Sequence, residues 1–303
     1  MTKRVIRSRA SFALHTEPTS PPVPELPEVE TVRRGLLDDL PGDSVVDVKV
    51  LRKESIGHPG PRQFCSGLTG HSFEDISRRG KYLLFQLDRG AGLAVHLRMS
   101  GRLILAESGR ASAPHLRVRI SLASGRQLQF EDMRVFGRLW YVPAGTRFED
   151  VVPGLAELGV EPLADMTAAH LARGFARRTQ AVKPALLDQG VVAGIGNIYA
   201  DESLFLAGVS PLRSVKTLKP VELERLVCAI REVLSTAIEL GGSTVRDYTN
   251  SRGVNGNYQE ESWVYGREGE PCRRCTTPVV RIRLAGRSAH FCPRCQSESR
   301  RKA

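Results

Sequence analysis

Cys272 and Cys275 form a C-x2-C pair, and after 16 intervening residues Cys292 and Cys295 form a second. Each pair aims two thiolates at one point, and four thiolates satisfy tetrahedral zinc. Disulfides and a redox pair are the alternatives, both weaker in a basic chain without a secretory signal. The spacing therefore predicts one structural Zn2+ on Cys272, Cys275, Cys292 and Cys295. Cys65 and Cys228 lack such partners and read as ordinary buried small residues. A second constellation is the glycine-rich run Gly190–Gly196, followed by Asn-Ile-Tyr-Ala-Asp-Glu over 197–202. Its glycines permit close backbone approach, and a helix starting there would offer N–H groups to a phosphate. Asn197 adds a side-chain donor, and Arg178 and Lys183 are basic candidates for the same phosphate backbone. Arg78-Arg79-Gly80-Lys81-Tyr82 is a basic turn before a strand, a pattern also common in merely solvated turns.

The elements that must position these groups follow from periodicity. Val29, Val32, Leu36 and Leu40 repeat near the helical period, with Pro27 suited to the first turn. The period then becomes two, in Val46, Val48, Val50 and again in Leu116, Val118, Ile120, Leu122. Residues 24–150 thus read as a β-rich domain opened by a helix. Pro153, Gly154, Gly159 and Pro162 mark a linker. A helical domain follows over 151–262, its clearest helix carrying Leu223, Leu226, Val227, Ile230, Val233, Leu234 and Ile238. It ends in a polar stretch, 243–262, read as a mobile loop. The zinc module occupies 263–303. The fold class is α+β and multidomain.

The 303 residues carry a formal charge of +11, with a pI near 9.7. The charge remains +8 without residues 1–22, which hold four basic residues and one acid. Such an excess favours a polyanionic partner, most simply nucleic acid, although charge alone also fits a merely soluble basic protein. No apolar run approaches the roughly 18 residues of a membrane span, and no secretory h-region is present. The default location is cytoplasmic.

Pro24-Glu25-Leu26-Pro27-Glu28-Val29-Glu30-Thr31 resembles the amino-terminal signature of the formamidopyrimidine-DNA glycosylases, bacterial enzymes that excise oxidised purines. The resemblance covers residues 24–296. It implies an amino-terminal helix with a β-sandwich, a helix-two-turn-helix domain around Gly190–Glu202, and a carboxy-terminal zinc-ribbon hairpin. It also implies base-excision repair of formamidopyrimidines and 8-oxoguanine in double-stranded DNA by a bifunctional glycosylase and AP lyase, acting as a monomer. Pro24 would be the nucleophile, because an α-amino group is partly unprotonated near neutrality where a lysine is not. Glu25 would move protons while the sugar ring opens. Lys81 matches the lysine that assists β-elimination, and Arg287, between the zinc pairs, matches the arginine that grips the phosphate and assists δ-elimination. Met99, in His-Leu-Arg-Met-Ser-Gly, matches the residue pushed into the gap left by the extruded base. Arg134 would face the orphaned base, Phe136 would wedge between base pairs, and His115 matches a DNA-contact histidine. The loop reads Asp-Met-Arg-Val-Phe-Gly where many members have Asp-Pro-Arg-Arg-Phe-Gly, so the second arginine is missing.

The serious departure is the leading segment. An internal proline nitrogen is a tertiary amide whose lone pair is delocalised into the carbonyl. Val23 stands where a GTG start codon would place an initiator, which makes residues 1–23 an extension from a mis-called start. A cleaved targeting peptide and a basic arm on DNA are the other readings. If Pro24 stays internal, a catalytically inactive damage-binding protein is the alternative. A zinc-ribbon regulator is a third, but it leaves Pro24, Glu25 and Lys81 unexplained.

Overall fold

The computed structural model describes residues 23–107, 113–243 and 256–297. The chain enters through α1 (Leu26–Leu37), with Pro27 in its first turn. There follow β1 (Val45–Val50), β2 (Ile56–His58), α2 (Pro61–Leu68), β3 (Phe73–Arg79), β4 (Tyr82–Leu87), β5 (Gly92–His96) and β6 (Gly101–Ala106). Then come β7 (Leu116–Leu122), β8 (Gln127–Asp132) and β9 (Arg138–Val142). A four-stranded sheet in the order β1-β7-β8-β6 faces a five-stranded sheet in the order β2-β9-β5-β4-β3. Their shared core holds Phe64, Phe73, Phe85, Val118, Ile120 and Phe130. β7 alternates as its sequence predicts, with Leu116, Val118, Ile120 and Leu122 all inward. β1 does not. A bulge between Val45 and Asp47 turns Val45 into the core and leaves Val46 54% exposed. An extra residue in one strand shifts every later side chain by one face.

Beyond α3 (Phe148–Val151) the chain becomes helical: α4 (Ala168–Phe175), α5 (Val182–Leu187), α6 (Asn197–Ala207) and α7 (Pro220–Glu239). α7 buries all seven residues of its expected apolar stripe. Helix α1 straddles two cores. Val29, Val32 and Leu36 pack into the sandwich, while Leu26 packs with Tyr199, Ile195 and Leu204 of the helical domain. Of the stretch 243–262, residues 244–255 lie outside the described residues. Tyr258–Glu261 forms a helical turn, α8, rather than loop. The hairpin β10 (Val280–Leu284) and β11 (Arg287–Phe291) completes the fold, with Arg287 paired to Leu284 across its tip.

Candidate active site and nucleic-acid interface

Glu25 ends the extended entry to α1, and its side chain is buried. Its carboxylate sits on the amino terminus of α6, where it accepts N–H bonds from Gly196 (2.8 Å), Ile198 (3.0 Å) and Tyr199 (3.4 Å). Unpaired amides and the helix dipole both favour an anion at that position. Gly196 is required for this approach, because a Cβ there would lie 2.3 Å from the Glu25 carboxyl carbon. The expectation that this helix terminus receives a phosphate is thus corrected: Glu25 already occupies these amides. Burial pushes the Glu25 carboxyl up to about 7, against the opposing pull of Lys81, and nearby Glu28 adds to the rise. Such a group both donates and accepts a proton at neutral pH.

Glu28, one helical turn on, is equally buried. It accepts the Glu25 N–H (2.9 Å), the Tyr199 hydroxyl (2.5 Å) and the Ser243 N–H (2.7 Å). Burial raises its carboxyl as well, with these hydrogen bonds opposing. Glu28 therefore ties the entry to α1 to helix α6 and to Ser243. Sequence reasoning assigned it no role. The available signal was its position three residues after a helix-capping residue.

A cleft of about 1150 Å³ opens over this point, and Val23, Glu25, Lys81, His96, Met99, Asn197 and Arg287 line it. Groups far apart in sequence thus converge. Pro24 itself is buried, and its neighbours Val23 and Glu25 line the cleft. Lys81 stands at the β3–β4 turn. Burial lowers its ammonium pKa, Glu25 and Glu28 oppose the fall, and Arg287 and Arg98 add to it. Arg287 is exposed at the hairpin tip. His96, also unassigned from sequence, is held near 3 by burial and by Arg98 and Lys81. Its Nδ1 accepts the Arg98 N–H at 3.0 Å, so the neutral ring carries its proton on Nε2.

Met99 is half-buried at the cleft wall, and Arg134, Phe136 and His115 are exposed. The Arg134 guanidinium lies 4.8 Å above the Phe136 ring. Phe136 is 46% exposed and neighbouring Met133 54%, an apolar tip beside a cation. Asn197 lines the cleft and donates to Ser288 Oγ at 3.2 Å, so it meets the hairpin. Arg178 is half-buried and paired with Asp188 at 2.7 Å.

Lys183 corrects the sequence reading. It is not a surface cation but 1% exposed, paired with Asp201 at 2.7 Å and donating to the Ser288 carbonyl at 2.5 Å. Asp201 also accepts the His290 N–H at 2.9 Å. This buried cluster fastens the hairpin carrying Arg287 to the helical domain. Cys228 is corrected too: it is exposed on α7, and Cys65 is only half-buried.

The four sulfurs of Cys272, Cys275, Cys292 and Cys295 lie within 4.8 Å of one another. Cys275 and Cys292 are 3.4 Å apart and Cys272 and Cys295 3.9 Å, too far for disulfides. Zinc–thiolate bonds of about 2.3 Å in a tetrahedron separate sulfurs by roughly 3.8 Å, which these spacings bracket. Four protein ligands close the coordination shell, so the zinc is structural.

Three domain families match in order: Formamidopyrimidine-DNA glycosylase N-terminal domain over residues 23–139, Formamidopyrimidine-DNA glycosylase H2TH domain over 158–249, and Zinc finger found in FPG and IleRS over 269–297. A formamidopyrimidine-DNA glycosylase of Gloeobacter violaceus is 56% identical over 277 residues, covering 90% of this chain and 98% of that protein. The chain belongs to the formamidopyrimidine-DNA glycosylase family. The relative from Thermosynechococcus vestitus is 49% identical over 90% of this chain and 97% of its own. Among solved structures, a Lactococcus lactis family mutant bound to Fapy-dG-containing DNA superposes with a TM-score of 0.84. It is 37% identical, over 90% of this chain and 100% of that one. The Thermus thermophilus protein gives 0.81 at 42% identity, over 91% and 100%. The glycosylase family thus accounts for the sandwich, the helical domain and the zinc hairpin together. Among the described residues, no helix is long and apolar enough to cross a membrane.

Proposed function

We propose that the protein excises oxidised purines, formamidopyrimidines and 8-oxoguanine, from double-stranded DNA through a Schiff base to Pro24, and then cleaves the abasic site by β,δ-elimination. The observation that carries this reading is the buried Glu25 carboxyl, poised at about 7 on the α6 amino terminus beside Pro24 and Lys81. The Pro24 amine attacks C1′, the glycosidic bond breaks, and the base leaves with the bonding electrons and takes up a proton. Glu25 delivers a proton to O4′ as the sugar ring opens, leaving an iminium on proline. The iminium acidifies C2′. Loss of that proton expels the 3′ phosphate, with Lys81 assisting. Loss of the C4′ proton then expels the 5′ phosphate, with Arg287 holding the departing anion. Met99, Arg134 and Phe136 fill the gap, and His115, Arg178 and Asn197 meet the DNA.

This chemistry needs the Pro24 nitrogen free of Val23. We therefore propose that the active species begins at Pro24, residues 1–23 being an extension. Protein beginning at Pro24 should give a covalent adduct with lesion DNA under borohydride, mapping to Pro24. Protein carrying residues 1–23 with cleavage blocked should bind DNA without that adduct. Equal trapping by the unprocessed protein, with the crosslink elsewhere, overturns the assignment of Pro24.

A further inference from the structure

Asp132, the last residue of β8, is completely buried, yet among the described residues no cation pairs with its carboxylate. Three neutral donors converge on it instead. Oδ1 accepts the Ser100 hydroxyl at 2.5 Å and the Arg134 N–H at 3.1 Å, and Oδ2 accepts the Gly137 N–H at 2.7 Å. The same Arg134 N–H reaches Ser100 Oγ at 3.1 Å. The Asp132 main chain is held as well: its N–H donates to the His115 carbonyl at 2.8 Å, and its carbonyl accepts Arg117 Nε at 2.7 Å. Gly137 leaves no room for a side chain, since a Cβ there would lie 2.4 Å from the Phe130 ring and 3.2 Å from Asp132 Oδ2.

The donors belong to two separate excursions. Ser100 closes the turn after β5 that carries Met99, and Arg134 and Gly137 bracket the loop that carries Phe136. Each excursion holds a residue in an unfavourable conformation: Arg98 has φ of +55° and Val135 has φ of +57°. A β-branched residue in the left-handed region persists only where its surroundings over-determine it. Here the loop backbone is fixed from one side by Asp132 and from the other by Arg138, which donates to the Val135 carbonyl at 2.9 Å and the Gly137 carbonyl at 2.8 Å.

We propose that Asp132 is a positioning residue that locks the Met99 turn and the Arg134–Phe136 loop into one rigid unit, so that the gap-filling side chains enter DNA together. The proposal rests on the reading that Met99, Arg134 and Phe136 replace the extruded base. Its physical logic is preorganisation. The loop's tip is largely exposed, with Phe136 at 46% and Met133 at 54%, so its shape is set chiefly from beneath.

The isosteric change Asp132→Asn tests this without opening a cavity. One carboxamide position becomes a donor, and whichever it is, a backbone N–H of Arg134 or Gly137 then faces it. In zinc-loaded protein with Pro24 at its amino terminus, excision of 8-oxoguanine under single turnover should fall about 10- to 100-fold, the size expected when hydrogen bonds to a buried carboxylate are lost. Ser100→Ala, at a half-buried site, should cost about 3- to 10-fold. Cleavage of a preformed abasic site should stay within about twofold, because no base is extracted there. The fluorescence rise of 2-aminopurine beside the lesion, which reports unstacking, should be lost with excision. On a Met99→Ala/Arg134→Ala/Phe136→Ala background, Asp132→Asn should add less than about twofold, since coupled residues are not additive. Equal loss on both substrates, or the full loss on the triple background, overturns the proposal. Should Asp132→Asn fail to fold, Ser100→Ala decides by the same criteria. If the triple variant itself spares excision, the underlying gap-filling reading fails. If it impairs excision selectively while Asp132→Asn and Ser100→Ala do not, only the positioning role fails.

Discussion

Two buried ionic clusters meet helix α6 within a single turn of each other, and they differ in how their charges are matched. At the helix start, Glu25 is held by three amide N–H groups, and among the described residues no cation lies within ion-pair distance. Its carboxyl is pushed to about 7, and the nearby Lys81 ammonium is pushed down. Farther along, Asp201 has Lys183 at 2.7 Å and the His290 N–H at 2.9 Å. Burial lowers the Lys183 ammonium as well, but Asp201 opposes it through both charge and a direct hydrogen bond. Both clusters are buried. The unmatched one is left with a carboxyl that titrates near neutrality, which suits the proposed acid role of Glu25. The matched one has its charges committed, which serves attachment of the hairpin.

Dissolving the zinc module whose hairpin the matched cluster holds should have the largest effect. Zinc removal by a strong chelator withdraws a contribution of about 10–16 kcal/mol typical of structural sites, and should free the β10–β11 hairpin. Arg287 then leaves the cleft, and cleavage of lesion DNA should be lost while the sandwich, with its separate core, keeps its strand signal in circular dichroism. Retained cleavage by protein shown metal-free by native mass spectrometry contradicts the clamp role.

A smaller break is Lys183→Ala, which strands Asp201 in the interior. The expected cost is about 3–5 kcal/mol of stability in denaturant titration. Asp201→Asn in the same chain should recover part of it. The salt slope of DNA binding should stay unchanged in the folded fraction, whereas a lost phosphate contact lowers that slope by about one. A lowered slope without lost stability would return Lys183 to the DNA surface.

The smallest expected effect sharpens the unmatched region. Single-turnover base excision should level off between about 7 and 8, where loss of the Glu25 proton offsets the gain of free Pro24 amine, and fall about tenfold per pH unit above that. Glu25→Gln should lower the rate and remove that alkaline limb. The stability linkage has a definite sign. The fold raises this carboxyl from 4.5 to about 7, so the protonated form is favoured. That stabilisation is complete below about 4.5 and is lost as pH rises through about 7. An alkaline limb unchanged in Glu25→Gln would assign it to another group.

Much of this molecule is legible in one dimension. The stripe from Leu223 to Ile238 and the alternation from Leu116 to Leu122 give α7 and β7, because side-chain periods of 3.6 and 2 are properties of the local backbone. The cysteine spacing gives the zinc ligands, because each knuckle closes over two residues. The residue types at Pro24, Glu25 and Lys81 carry the amine-and-acid chemistry through resemblance.

Other features were decided only in three dimensions. Val46 turns outward because of a bulge that pairing with β7 creates. Lys183 looks like a phosphate ligand until Asp201 and Ser288 enclose it. Cys228 fits a buried pattern but falls on the outer face of α7. The α6 amino terminus reads as an anion site, and it is one, but its anion is Glu25, 171 residues earlier in the chain. Propensity, spacing and intrinsic proton affinity act over a few residues, so the sequence alone determined elements, metal ligands and candidate reactive groups. Burial and the matching of donors to acceptors are set by segments that meet only on folding. Tertiary structure alone therefore decided which of those groups line the cleft and which are committed to buried pairs.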